Sequence, residues 1–175
     1  PLAKINNIPM IIHVLNRAKE SKVGEVFVAT PDDEILQIVE KSGGKAILTK
    51  SEHLSGSDRV YEAYIKELKD KVDLIVNLQG DMPNIKPDSI SKLVNLMEDS
   101  KCDIGTLASY IKNEKDIIDP NVVKVYIEQI LKKDSFLDAK DFFRTSNNIN
   151  TEKVYHHLGC YIFTKEALSK YVSFP

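Results

Sequence analysis

The run Asp73-Leu74-Ile75-Val76-Asn77-Leu78-Gln79-Gly80-Asp81 constrains this chain most. It reads as an apolar strand ending in Gln-Gly-Asp, and open α/β sheets bind ligands in the crevice outside the carboxyl ends of their strands. Gln79 and Asp81 are therefore expected to face a ligand, with Gly80 letting the backbone turn closely. Asp81 offers a hard oxygen suited to Mg2+, an ion that keeps several waters and shares phosphate oxygens with one or two protein carboxylates. The competing reading is ordinary turn chemistry, in which Gly-Asp simply closes a strand.

A second local signal lies upstream. His53-Leu54-Ser55-Gly56-Ser57-Asp58-Arg59 precedes a helical stripe of Val60, Tyr64 and Leu68. Ser55 or Ser57 suits the helix cap, and Gly56 lets backbone N–H groups approach an anion or a base edge. Arg59 carries a planar fork matched to an anion. A capped surface helix with a solvated Arg59 is the bland alternative.

Around these motifs helices and strands alternate. Met10, Ile11, Val14, Leu15 and Ala18 form one helical stripe, and residues 25–30 follow as a strand. Pro31 suits a first helical turn, Ile35 and Val39 continue an apolar face, and Gly43-Gly44 stops that helix. Residues 45–49 return as a short strand; Ile90, Leu93, Val94 and Met97 give a further helix, and 104–107 a further strand. This alternation predicts an α/β fold with an open, mainly parallel sheet and helices on both faces. Beyond Lys124 the pattern loosens. Residues 127–150 hold Leu131-Lys132-Lys133-Asp134 and Thr145-Ser146-Asn147-Asn148, which reads as a mobile connection.

Composition narrows the class without deciding the function. With 175 residues, 42% of them hydrophobic, the chain is expected to build one main domain. A net charge of -2 supplies no basic field for nucleic acid, so any phosphate must be held by local groups. No apolar run approaches a membrane span, and the cytoplasm is the simplest compartment. Cys102 and Cys160 lack metal-ligand spacing and read as reduced thiols. Adjacent His156 and His157 point to opposite strand faces, so at most one serves a given site, whereas His157 and Tyr161 share a face. A half-buried pair in the sheet is the alternative for the latter two.

Together, Ser-Gly-Ser-Asp-Arg at 55–59 and Val-Asn-Leu-Gln-Gly-Asp at 76–81 resemble the 3-deoxy-manno-octulosonate (Kdo) cytidylyltransferases, the CMP-Kdo synthetases of Gram-negative bacteria. Further likeness runs along most of the chain: Pro9-Met10-Ile11 with His13-Val14, Val28-Ala29-Thr30, Asn121-Val122-Val123-Lys124-Val125, and His157-Leu158-Gly159-Cys160-Tyr161. The resemblance implies a nucleotidyltransferase of the nucleotide-diphospho-sugar transferase fold. The reaction it implies is CTP plus Kdo giving CMP-Kdo and pyrophosphate, for lipopolysaccharide biosynthesis.

By the same resemblance Asp81 binds Mg2+, Ser55, Gly56, Ser57 and Arg59 help hold the nucleotide, and Gln79, His157 and Tyr161 meet the sugar acid. Arg144, in a segment that matches the family only at Ala139, Phe142 and Arg144, would join them. A homodimer is implied as well. The family opens with a strand and an Arg- and Ser-containing loop ending in Leu-Pro-Gly-Lys-Pro-Leu, and carries a second metal-binding Asp near its C-terminus. The sequence starts at what resembles the last Pro-Leu, Pro1-Leu2, and ends at Ser173-Phe174-Pro175. The expectation is a single cytidylyltransferase-like domain over 1–175 lacking both segments, inactive by itself. Met82 stands where many members carry Glu.

Three rivals remain at this stage. A cytidylyltransferase for sialic or another nonulosonic acid would share fold and chemistry but differ in these motifs. A glycosyltransferase is disfavoured by the lack of an Asp-x-Asp triplet. A non-catalytic ligand-binding or assembly domain is the third.

Overall fold

The computed structural model describes residues 1–145 and 151–174, so Ser146, Asn147 and Asn148 of the expected connection, and the final Pro175, lie outside the described residues. The chain divides into two compact units, Pro1–Gly105 with Cys160–Pro175, and Thr106–Gly159.

The first unit opens with a hairpin of β1 (Lys4–Ile5) and β2 (Ile8–Pro9). Its two turn residues, Asn6 and Asn7, have φ of 49° and 64°, the left-handed pair that a tight hairpin turn needs and that Asn tolerates. Helix α1 (Met10–Glu20) follows, burying Ile11, Ile12, Val14 and Leu15. Strand β3 (Phe27–Thr30), helix α2 (Asp33–Lys41) and strand β4 (Lys45–Leu48) form a βαβ unit, with the strands parallel from Phe27↔Lys45 to Thr30↔Leu48. Asp32 caps α2, its Oδ1 accepting from Glu34 N at 2.8 Å, so the helix begins after Asp32 and Pro31 stands outside its first turn. At the other end Gly43 adopts φ 71°, and a Cβ on Gly44 would lie 2.6 Å from Leu15 Cδ2 and 2.7 Å from Val39 Cγ1. The Gly-Gly stop thus serves both a left-handed turn and close helix packing. Ile11, Ile12, Leu15, Ile35 and Val39 form the core here.

Helix α3 (Gly56–Ala63) continues through a π turn, Tyr64–Leu68, into strand β5 (Leu74–Leu78); helix α4 (Pro87–Glu98) begins with Pro at its first turn. β5 pairs antiparallel with the second half of strand β9 (Val154–Thr164), from Leu74↔Thr164 to Leu78↔Cys160, and helix α5 (Lys165–Tyr171) follows. Tyr64, Ile75, Phe163 and Leu168 make a second core cluster, with Val60, Tyr61, Leu68 and Tyr161 packed against it.

In the second unit, β7 (Lys124–Ile127) pairs antiparallel with β8 (Ala139–Phe143) and with the first half of β9, where Val125 faces Tyr155. Val125, Ile127 and Tyr155 form its core. Lys124 is fully buried, and its ammonium donates to Asp119 O at 2.7 Å, Val122 O at 2.9 Å and Arg144 O. Three carbonyls thereby satisfy all three donors of the buried cation. Strand β6 (Ile104–Ser109) and β9 contribute residues to both units.

The α/β class holds, and the sheets are mixed: the β3–β4 ladder is parallel, whereas β9 pairs antiparallel with both β5 and β7. Part of the stretch expected as a mobile connection is strand β8, whose residues are exposed except for the half-buried Phe143. An exposed edge carries no clean apolar alternation, which is why the sequence pattern did not disclose it. Among the described residues, no helix is long and apolar enough to cross a membrane.

Candidate active site

The helix start and the strand end singled out in the sequence meet in the first unit. Ser55 caps α3 in a reciprocal box: Asp58 N donates to Ser55 Oγ at 3.3 Å, while Ser55 N donates to Asp58 Oδ2 at 2.9 Å. This box fixes the turn from which Gly56 and Ser57 enter the helix. A Cβ on Gly56 would lie 3.4 Å from Gln79 Nε2 and 3.6 Å from Oε1, so the glycine backbone faces the Gln79 amide.

Asn77 connects the two elements from beneath. Its side chain is 4% exposed, and its Nδ2 donates to Ser57 Oγ at 3.4 Å while its Oδ1 accepts from Gln79 Nε2 at 3.5 Å. Sequence reasoning passed over Asn77, although a polar residue at the buried parity of an apolar strand, two positions from Ile75, was the available signal. Gly56, Arg59, Asn77, Gln79 and Gly80 line a cavity of about 1540 Å3 that also follows β3 and β5. A Cβ at Gly80 would lie 3.3 Å from Ile11 Cδ1, so the close turn expected there packs onto α1.

Asp81 stands beyond the strand end, exposed, with no hydrogen bond or ion pair to its side chain among the described residues. No three His, Cys, Asp or Glu side chains among the described residues group as a metal site. Mg2+ fits that setting, because it takes one or two carboxylates, several waters and substrate phosphates in place of a full protein cage. Asp81 is the carboxylate that would hold it.

Arg59 lines this cavity and also holds the loop before α3. Its Nη1 donates to Thr49 Oγ1 at 2.7 Å and Lys50 O at 2.8 Å, and its Nη2 lies 3.5 Å from Ser51 O. Arg144, in the second unit, donates from Nη1 to Pro120 O at 3.0 Å, beside the Lys124 ammonium that takes the Arg144 carbonyl. His157 is buried at 7% exposure, its Nε2 3.0 Å from Thr106 Oγ1 and its ring edge-on to Phe142. Burial, reinforced by the neighbouring His156, holds its imidazole below the ordinary histidine range, which favours the neutral ring. Tyr161 packs beside Phe163 in the first unit, with ring centroids 6.2 Å apart, and burial with Tyr171 nearby pushes its phenol upward. Ser55, Gly56, Ser57 and Gln79 are thus gathered at one place, with Asp81 two residues along the chain from Gln79, while Arg144 and His157 belong to the second unit.

A sequence model of one family, Cytidylyltransferase, matches residues 1–175. The 3-deoxy-manno-octulosonate cytidylyltransferase of Rhodopseudomonas palustris (strain BisB18) is 42% identical over 176 residues, covering 100% of this chain and 71% of that protein. The enzyme of the same name from Brucella ovis is 40% identical over 173 residues, covering 98% of this chain and 68% of that protein. Among solved structures, a CMP:2-keto-3-deoxy-manno-octonic acid synthetase complexed with CTP superposes with a TM-score of 0.86 at 35% identity, covering 100% of this chain and 71% of that one. The 4-diphosphocytidyl-2C-methyl-D-erythritol synthase of Anaerococcus prevotii matches with a TM-score of 0.61 at 17% identity, covering 98% of this chain and 72% of that one, a likeness of fold alone. The chain belongs to the 3-deoxy-manno-octulosonate cytidylyltransferase family.

Proposed function

We infer that the protein transfers CMP from CTP to Kdo, releasing pyrophosphate and supplying CMP-Kdo for lipopolysaccharide synthesis. The observation that carries the reading is the convergence of the capped helix start at 55–57 on the strand end at 77–79, in a chain of this family. The anomeric hydroxyl of Kdo attacks the α-phosphorus of CTP and gives up its proton to solvent; a C–O–P bond forms there, and the bond from that phosphorus to the α,β-bridging oxygen breaks, so that pyrophosphate leaves. Positioning and electrostatics are the protein's main contributions to such a displacement.

The backbone at Gly56 and the Ser55 and Ser57 hydroxyls receive the nucleotide, and Arg59 supports them through the Thr49 hydroxyl and the Lys50 and Ser51 carbonyls. Gln79 offers its amide to the sugar acid or nucleotide from the opposite wall, its side chain steadied by Asn77. Asp81 would hold Mg2+. When bound, that ion neutralises phosphate charge and aligns donor with acceptor. His157, Tyr161 and Arg144 are assigned to the Kdo carboxylate and hydroxyls; the Arg144 guanidinium also donates to Pro120 O. Residues 1–175 are read as one cytidylyltransferase-like domain made of two compact units. A cytoplasmic homodimer acting on CTP and Kdo, without nucleic acid or membrane partners, completes the proposal.

Pyrophosphate release by the protein of the complete reading frame, supplied with CTP, Mg2+ and Kdo, tests it. Release that depends on both CTP and Kdo is expected. Pyrophosphate release indifferent to Kdo, or none with any sugar acid, overturns it.

A further inference from the structure

The segment before the α3 cap is polar and, by composition, free to wander, yet charged side chains of its own following helix grip it tightly. Glu62 accepts from Lys50 N through Oε1 at 3.2 Å and Oε2 at 3.1 Å. Its Oε2 lies 2.5 Å from His53 Nε2, and its Oε1 takes the Lys66 ammonium at 2.6 Å. Lys66 donates onward to Leu48 O at 2.9 Å. From one turn earlier on α3, Arg59 takes Lys50 O. The two peptide groups flanking Lys50 Cα are therefore held on opposite charges, N–H on a carboxylate and C=O on a guanidinium.

Such bonds to ionised groups are about twice as strong as neutral ones, and here they are partly sheltered: the His53 and Glu62 side chains are 13% and 14% exposed. Both Glu62 carboxylate oxygens are taken up by Lys50, His53 and Lys66, so its role is to hold the segment and not to contact a ligand. What the clamp fixes is the approach of residues 50–54 to the Ser55 cap, and so the direction in which the 55–57 backbone faces Gln79.

We propose that Glu62 is a positioning residue for the nucleotide, acting through Lys50 and His53 on the 50–57 segment. The inference rests on the reading that residues 55–57 receive CTP. A merely structural Glu62 would change stability and leave the nucleotide step alone; a positioning Glu62 changes the KM for CTP and leaves that for Kdo unmoved.

The test uses the complete protein, wild type against Glu62→Ala and Glu62→Gln. Three quantities are read: KM for CTP, KM for Kdo, and amide hydrogen exchange over residues 50–57 with and without CTP. Expected are faster exchange at Lys50 in both variants and a rise in the KM for CTP of about 10- to 100-fold in Glu62→Ala. Glu62→Gln, whose amide oxygen still accepts from Lys50 N, should show a smaller rise. The KM for Kdo should stay put. If wild-type 55–57 amides gain protection from CTP, yet Glu62→Ala exchanges faster at Lys50 with an unchanged KM for CTP, the positioning role is overturned and the nucleotide reading stands. If CTP protects none of the wild-type 55–57 amides, the nucleotide reading falls and takes the inference with it. Should Glu62→Ala fail to fold, Glu62→Gln decides by the same two readings.

Discussion

Gly56 and Gln79 face one another across the site: a Cβ added to Gly56 would sit 3.4 Å from Gln79 Nε2, at ordinary van der Waals distance. An alanine therefore fits in the free protein, and the φ there is not left-handed. What it would do is cover the amide. Gly56→Ala should keep or slightly raise stability, by up to about 1 kcal/mol through the unfolded chain. Activity should fall at least about tenfold as the methyl blocks ligand access to Gln79. Thermal unfolding beside kcat/KM for CTP checks the split; equal activity in the variant would place the ligand elsewhere.

Asp81→Asn separates chemistry from folding in the opposite sense. The side chain is exposed and makes no hydrogen bond or ion pair among the described residues, so stability should shift by no more than about 0.5 kcal/mol. Removing a charged metal ligand should cost at least about 100-fold in Mg2+-dependent pyrophosphate release. Near-normal turnover in the variant would dismiss the metal role.

The clamp on the 50–54 segment has an acid limit with a definite sign. The Lys66 ammonium on Glu62, joined by Lys50 N–H and His53, holds its carboxyl down to about 2 against an ordinary value of 4.5, while desolvation works the other way. Because the folded value is the lower one, this stabilisation is fully present above 4.5 and is lost as pH falls from there toward 2. Urea midpoints measured for wild type and Glu62→Gln should differ most above pH 4.5 and converge toward pH 2. A constant gap across that window would contradict the linkage.

Lys124 is a fully buried charge in the second unit. Lys124→Met leaves the part-buried Asp119, Val122 and Arg144 carbonyls without their donor. Each orphaned acceptor costs about 1–3 kcal/mol, tempered by any water that reaches it. The denaturation midpoint of the variant should fall clearly below wild type, with hydrogen exchange faster over β7 and β8. An unchanged midpoint would mean that the ammonium contributes nothing net.

Much of the fold is legible in the sequence. The stripe Ile11, Val14, Leu15 and the Gly43-Gly44 stop gave α1 and the end of α2, because 3.6-residue periodicity and a left-handed glycine are local signals. The strand that runs out just before Gln79 and the cap at Ser55 were equally local. Their meeting was not: Gly56 and Gln79 are 23 positions apart, and only the family likeness joined them in the sequence. Asn77 was hidden inside an apolar run, where a single polar residue looks like a solvent-facing position until the strand's buried parity is known. Arg59 reads as a free cation from its neighbours, yet its partners Thr49, Lys50 and Ser51 come from the preceding loop, whose path no periodicity encodes. The antiparallel pairings of β9 escaped for a related reason: strand direction depends on where a long connection returns, which alternating helices and strands do not specify.

The most direct test of the whole account is a comparison of kcat/KM for Kdo and for N-acetylneuraminate, with CTP and Mg2+ held constant, in the protein of the complete reading frame. A site that hydrogen-bonds particular hydroxyls penalises an analogue that leaves its buried polar groups unpaired. A preference for Kdo of about 100-fold or more is expected, with CMP-Kdo as the identified product. Equal use of the two acids, or a preference for N-acetylneuraminate, would contradict it.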